Sequence, residues 1–374
     1  MQKHHYFILL LSGFTLPVLG QGTITVQNEA TVARNEAVVG VSWKALKARY
    51  STLDSANFRL IDSRTKAEIP YQLERQGEAS VQNLLMQVSV PAKSSVQVSV
   101  QKGKPAPVAA KTFARYVPER LDDFAWENDK VAFRAYGKAL EGTKGDAYGL
   151  DVWVKRTDKL VLDARYKRGK YHEDIGDGMD YYHVGHTLGA GNVMPYVKDS
   201  VYYSKNYHRW KVLDNGPIRT TFVLEYDEWD VNGLKVTATK KITLDAGTQM
   251  NRVEATYRYS GASKLPVVVG IIKRPELGQM LLDEQRGIMA YWEPQHGPDG
   301  ITGVGSVLLT PVTAMKITGE QLLAQSTSVQ NEPFIYYTGA CWNKAGVITD
   351  APAWFAYLQA FKEALASPLV VQMN

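Results

Sequence analysis

From Gly22 to about Lys102, short runs such as ITVQN, AVVGVSW, NFRLID and VQVSVQK alternate apolar and polar residues, with Asn, Ser and Gly between them. A period of two turns one face of each run toward a core and the other toward water, the pattern of short antiparallel strands. These runs predict a small N-terminal β-sandwich over residues 21–105. The segment KGKPAPVAAK, Lys102 to Lys111, carries two prolines and reads as a linker. Beyond it lie WENDKVAFRAYG, a histidine-rich stretch, and a long meander: IRTTFVLEYDEW, a DVNG turn, LKVTATKKITLD, an AGTQ turn and MNRVEATYRYS. In IRTTFVLEY, Ile218, Thr220, Phe222, Leu224 and Tyr226 share one face, as in a half-buried antiparallel strand. Only AWFAYLQAFKEALAS has good helical spacing, through Trp354, Leu358, Phe361 and Leu365. The predicted fold class is all-β: a small N-terminal β-sandwich, then a large antiparallel β-supersandwich over 112–374 with one short C-terminal helix.

The first residues, MQKHHYFILLLSGFTLPVLG, have a basic start, an apolar run and a small residue at Gly20. That layout predicts a signal peptide over residues 1–20 and a periplasmic or secreted protein. The apolar run is broken by Ser12, Gly13, Thr15 and Pro17, and no cysteine follows it for a lipid anchor. Stable membrane insertion is therefore not expected. Losing Lys3 lowers the formal charge from +5 to +4, and the remaining charges of both signs are interspersed. A nucleic-acid partner would call for a basic stripe, so none is expected. The single cysteine, Cys341, cannot form an internal disulfide and reads as a small buried hydrophobe.

Histidine placement changes the picture. Of seven histidines, four (His172, His183, His186 and His208) fall between Tyr171 and Trp210. The stretch YHEDIGDGMDYYHVGHTLGAG, Tyr171 to Gly191, holds three histidines, three aspartates and five glycines. Buried charge is costly unless paired, so a packed core has little use for that mixture, and a binding cleft does. Three chemistries could use it. His183-x-x-His186, or Asp174, Asp177 and Asp180, could ligate zinc or calcium, although the spacing matches no calcium loop; no cofactor is the primary expectation. Proton transfer on a uronic-acid saccharide would take its acid and base from His172, Tyr181, His183 and His186, with Arg134 and Arg219 clamping the carboxylate. Glycoside hydrolysis would pair Glu173 with Asp174, Asp177 or Asp180. Asp174 and Asp180 are also read as substrate-binding groups. In YWEPQHGPDG, Trp292 could stack on a sugar and His296 could face the same cleft. The bland alternatives are surface ion pairs for the arginines and core packing for Trp292. No nucleotide loop or G-x-S-x-G elbow competes.

The blocks FAWENDKVAFRAYG, DVWVKR, YHEDIGDGMDYYHVGHTLGAGN, VLDNGPIRTTF, KKITLDAGTQMN and YYTGACWNKAG resemble a domain family of unknown function in secreted bacterial proteins. Its members are often encoded near pectin- and polysaccharide-degradation genes, and the resemblance runs from about Arg34 to near the C-terminus. It implies a part in the breakdown of uronate-rich glycans. The N-D-x-V-x-F-R-x-Y-G run also looks like the galactose-mutarotase-type supersandwich of sugar epimerases and several polysaccharide lyases. The expected partner is thus an anionic saccharide. The expected activity is a lyase or related glycan-cleaving one, with a non-catalytic glycan-binding protein or an epimerase-like enzyme as alternatives.

Overall fold

The structure, a computed structural model, describes residues 22–374; the expected signal peptide lies outside the described residues. Strands dominate, as the alternation requires. The first sandwich packs a four-stranded sheet (Val370–Met373, Gly22–Asn28, Ser94–Lys102, Phe58–Asp62) on a three-stranded one (Arg34–Ser42, Asn83–Val90, Tyr71–Glu74). Ile24, Phe58, Leu84, Met86 and Val98 fill the space between them. The large unit was expected to run to Asn374, yet the last strand leaves it. Val370–Met373 pairs antiparallel with Gly22–Asn28 and extends the four-stranded sheet past the strand that would otherwise be its edge. Two seven-residue helices, Trp43–Arg49 and Leu162–Arg168, were not foreseen. They are too short for periodicity to reveal.

The larger unit is built on an eight-stranded antiparallel sheet that runs from Arg209–Asn215 at one edge to Gln279–Asp283 at the other. Ile218, Thr220, Phe222, Leu224 and Tyr226 are all buried on the expected face. Two five-stranded sheets cover that face. One contains Thr112–Val117, Asp123–Asn128, Ala132–Ala135, Leu150–Lys155 and Gly178–Met179; the other contains Ala190–Val197, Lys264–Ile272 and Gln321–Val329. They meet where Leu150 bridges Gly189. The C-terminal helix, Ala351–Ala366, starts at the Asp350 cap and lays Trp354 and Leu358 on the other face of the eight-stranded sheet. None of the described helices is long and apolar enough to cross a membrane.

The first five-stranded sheet carries the site. Phe124, Trp126, Phe133, Val152 and Val154 point into the main core. Period two therefore sends Asp123, Glu127, Arg134, Asp151, Trp153 and Lys155 to the outer face. On an uncovered sheet that face would meet water. Here the helix Leu162–Arg168 and the histidine-rich loop cover it, and Asp123, Asp151 and Lys155 are 0%, 0% and 2% exposed. Each of these buried charges has an opposite charge beside it, as burial demands. Lys155 Nζ donates to Glu127 Oε2 at 2.7 Å, and Glu127 Oε1 accepts from the backbone N–H groups of Val161 and Leu162 at 2.7 and 2.8 Å. One carboxylate thus neutralises the lysine and caps the helix that leads into the loop.

Glu127→Ala should therefore destabilise the protein by about 3–5 kcal/mol, because it strands a buried ammonium and two helix-end donors. Chemical denaturation followed by circular dichroism measures it. A loss under about 1 kcal/mol would show that water replaces the carboxylate.

Candidate functional site

Arg134 lies opposite Asp151 in the pairing of neighbouring strands. Its Nη2 is 2.5 Å from Asp151 Oδ2 and 3.2 Å from Asp180 Oδ2, and Nη1 is 3.5 Å from Asp123 Oδ2. Arg134 and Asp180 are only 4% and 3% exposed. Desolvation is the main reason that Asp123 is pushed up to about 6. Burial, followed by repulsion from Asp151, pushes Asp180 up to about 8. Burial raises Asp151 as well, against the pull of Arg134. Arg134, expected to clamp a substrate carboxylate, spends its guanidinium on the protein's own aspartates.

Asp180 belongs to the histidine-rich loop, which local devices hold in shape. Asp174 Oδ1 accepts from the N–H groups of Gly176 and Gly178 at 2.9 and 3.0 Å, while Oδ2 pairs with Arg156 at 2.8 Å. Asp174 therefore builds the turn and does not line the cleft. Gly178 sits at φ +102°, where a Cβ would lie 2.1 Å from the Val154 carbonyl oxygen, so only glycine fits against the strand. Arg165 Nη2 donates to the carbonyls of Val154 and Asp177 at 2.9 and 2.7 Å, which ties helix, strand and loop together.

A cavity of about 480 Å³ opens beside this cluster. It is lined by Arg120, Arg134 and Tyr136, by the turn at 144–147, and by His172 and residues 180–186 of the loop. His172, His183 and His186 thus share one cavity, and all three are exposed. The His172 Nδ1 lies 2.7 Å from the Asp180 carbonyl oxygen. A carbonyl only accepts, so Nδ1 carries the proton, and the neutral ring keeps its lone pair on Nε2. The Tyr181 ring lines the cavity, while its hydroxyl takes a 2.7 Å hydrogen bond from Thr302. His296 stacks on that ring at 5.1 Å and pairs with Asp299 at 2.9 Å, so it borders the site from behind Tyr181. Arg274 donates to the His183 carbonyl at 2.6 Å and pairs with buried Glu293 at 2.7 Å; desolvation pushes Glu293 up to about 7.

Two other expected residues lie elsewhere. Arg219 binds Asp245 through Nε and Nη2 at 2.5 and 2.8 Å and Glu74 at 3.2 Å, which ties the two sandwiches together. Trp292 ends the strand Ile288–Trp292 and is 4% exposed among Cys341, Trp354 and Leu358. It packs under the C-terminal helix and cannot stack on a sugar. His208 is held between Asp227 and Glu141 at 2.6 and 3.1 Å, outside the cavity lining. Among the described residues, no group of three or more His, Cys, Asp or Glu is arranged to hold a metal ion. Asp123, Asp151 and Arg120 were not picked out from the sequence. For the two aspartates the signal is the charge at alternate positions of DFAWEN and LDVWVK, which reads as a solvent face until the loop covers it; Arg120, in the turn Pro118–Arg120, carries no such pattern.

A family model described as "Domain of unknown function (DUF4861)" matches residues 26–371. A relative from Formosa agariphila, named uncharacterized protein P7, is 31% identical over 379 residues, 94% of this chain and 93% of the relative. Among solved structures, a protein in the glycosyl hydrolase family 38 from Enterococcus faecalis superposes with a TM-score of 0.53 at 8% identity, over 94% of this chain and 47% of that one. An alpha-mannosidase from Enterococcus faecalis gives a TM-score of 0.42 at 8% identity, over 94% of this chain and 46% of its own. The chain spans about half the length of these two proteins, and the first likeness is one of fold. With the family model and the relative both spanning nearly all of it, the chain belongs to the DUF4861 family.

Proposed function

We propose that this protein is an exported carbohydrate-active enzyme that cleaves uronate-containing saccharides by β-elimination. The observation that carries the reading is one cavity lined by three histidines and a buried aspartate, with Arg120 and Lys144 among its lining residues. A cavity of about 480 Å³ has room for one or two sugar rings. Arg120 and Lys144 supply positive charge for a substrate carboxylate, which acidifies the proton on the neighbouring sugar carbon. His172 is the base, because its hydrogen bond to the Asp180 carbonyl leaves Nε2 free to accept that proton. The fold shared with a glycosyl hydrolase family 38 protein supports a role on sugars. One observation favours hydrolysis as a second reading: Asp146 and Asp180, two carboxyl groups, line the same cavity. The products separate the readings, since elimination leaves an unsaturated, ultraviolet-absorbing end and hydrolysis does not.

His172→Ala should lower turnover on uronate oligosaccharides by about 10²-fold or more with KM nearly unchanged, followed as absorbance of the unsaturated product. Full turnover in this variant would remove His172 as the base. Activity should survive dialysis against a chelator. Loss of activity, with recovery on adding zinc or calcium, would put a metal in the mechanism.

Arg120→Ala and Lys144→Ala should each raise KM for the acidic substrate by about tenfold, with the effect shrinking as salt is added. Equal KM values for wild type and both variants would show that the substrate carboxylate is bound elsewhere.

A further inference from the structure

Three carboxyl groups, from Asp123, Asp151 and Asp180, converge on the single buried guanidinium of Arg134. Arg120 adds a second cation 3.4 Å from Asp123. Three acids against two cations leave one negative charge in excess, in a place where the three aspartates are at most 3% exposed. The other charges near Asp180 do not cancel it. Arg165 and Arg168 share Asp177, at 3.7 and 3.6 Å, and the pull of Arg165 on Asp180 is weaker than the desolvation and the Asp151 repulsion that oppose it. The His172 Nδ1 is 3.8 Å from Asp180 Oδ2 but already donates to the Asp180 carbonyl. Tyr136 and Tyr166 stay neutral, since burial raises both phenols. An isolated buried carboxylate is so costly that the group takes up a proton instead. Of the three acids, only Asp180 also lines the cavity.

We propose that the Asp123–Asp151–Asp180 cluster stores one proton around Arg134, and that Asp180 donates it to the leaving oxygen of the saccharide in the cavity. The donor role rests on the cleavage reading above; the stored proton does not. In the elimination, His172 Nε2 takes the proton next to the substrate carboxylate, and that C–H pair becomes the new C=C bond. The C–O bond to the leaving sugar breaks with its electron pair on oxygen, which receives the Asp180 proton. The step ends with His172 as imidazolium and Asp180 as carboxylate. Solvent then removes one proton and returns the other. Arg134, Asp151 and Asp123 act through Asp180 and are positioning residues. Because the folded-state pKa of Asp180 is raised, the stability it contributes is fully present below its ordinary 3.8 and is lost as pH rises through about 8.

The test is a carbon-13 NMR titration of the full-length protein labelled at its aspartate carboxyls, which keeps Glu293 out of view. One aspartate should stay protonated through neutral pH, and Asp180→Asn should abolish that signal. If Asp180→Asn does not fold, Asp151→Asn should move the same signal down toward the ordinary range, because it removes the repelling neighbour. Titration of every aspartate in the ordinary range, or survival of the high signal in Asp180→Asn, would overturn the stored proton. Kinetics test the donor. Asp180→Asn should lose turnover by about 10²-fold or more at little change in KM, and the alkaline limb of wild-type turnover should follow the NMR midpoint. A high NMR midpoint with full turnover in Asp180→Asn would overturn the donor role alone. Absence of cleavage on any uronate saccharide would defeat the cleavage reading and the donor together, while the titration would still decide the stored proton.

Discussion

The guanidinium of Arg134 is the constraint on which the site depends. It stands on the outer face of a five-stranded sheet, where an aspartate from each of the two flanking strands and an aspartate from the loop meet it. The first two are set by the pairing of short strands and come with the fold. Asp180 does not: it follows the two-residue strand Gly178–Met179 and is carried by a loop rich in glycine. Ordering such a loop has a conformational cost at every residue. A charge-assisted contact inside a low-dielectric pocket is among the few local interactions strong enough to offset it. Once Asp180 is held, its carbonyl orients His172, and Tyr181 and Tyr182 follow it directly in the chain.

The same face shows why covering a charged layer requires balance. Glu127 and Lys155 form a neutral pair with further hydrogen bonds to backbone, so their desolvation is compensated. The layer around Arg134 carries more acid than base, and its compensation is incomplete. A well-packed apolar cluster of similar volume would be at least as stable there. An imbalance at the one place where the layer meets a cavity is what a site with shifted proton affinities needs.

Much of the fold was legible because alternation is a local signal. The exposed histidines of the cleft were legible from crowding alone. The failures share a cause: partners in space that no local pattern announces. Arg219 sits directly across the hairpin from Asp245, but a β-bulge between Tyr226 and Trp229 shifts the register by one, so counting back from the DVNG turn sets Arg219 against Ala246 instead. Trp292 ends IMAYW, a run whose Ile288, Ala290 and Trp292 face the helix side while Met289 and Tyr291 face the main core. A continuous apolar run of that kind is a strand buried on both faces. Treating Trp292 as a stacking platform for a sugar placed it on the surface. Asp123 and Asp151 were passed over for the opposite reason. Their alternation with apolar residues is that of a wet face, and only the helix Leu162–Arg168 and the loop after it make that face dry.

The loop is held on its other side by a second buried arginine. Arg274 reaches the His183 carbonyl, packs over the Tyr182 ring at 4.8 Å and is neutralised by Glu293. Residues 180–183 are therefore suspended between two guanidiniums, one holding a side chain and the other a backbone oxygen. Both arginines keep a fixed charge at any accessible pH, whereas the aspartates and the glutamate around them are pushed toward neutrality by burial. Protonation of either acid thus changes the charge beside the loop without releasing the contacts from Arg274 to backbone. A loop fastened in this way can present imidazoles in fixed positions without a metal ion to gather them, because the directional donors are the arginine forks themselves. That arrangement separates two demands on the loop: the guanidiniums supply the geometry, and burial shifts the proton affinities of the acids beside them.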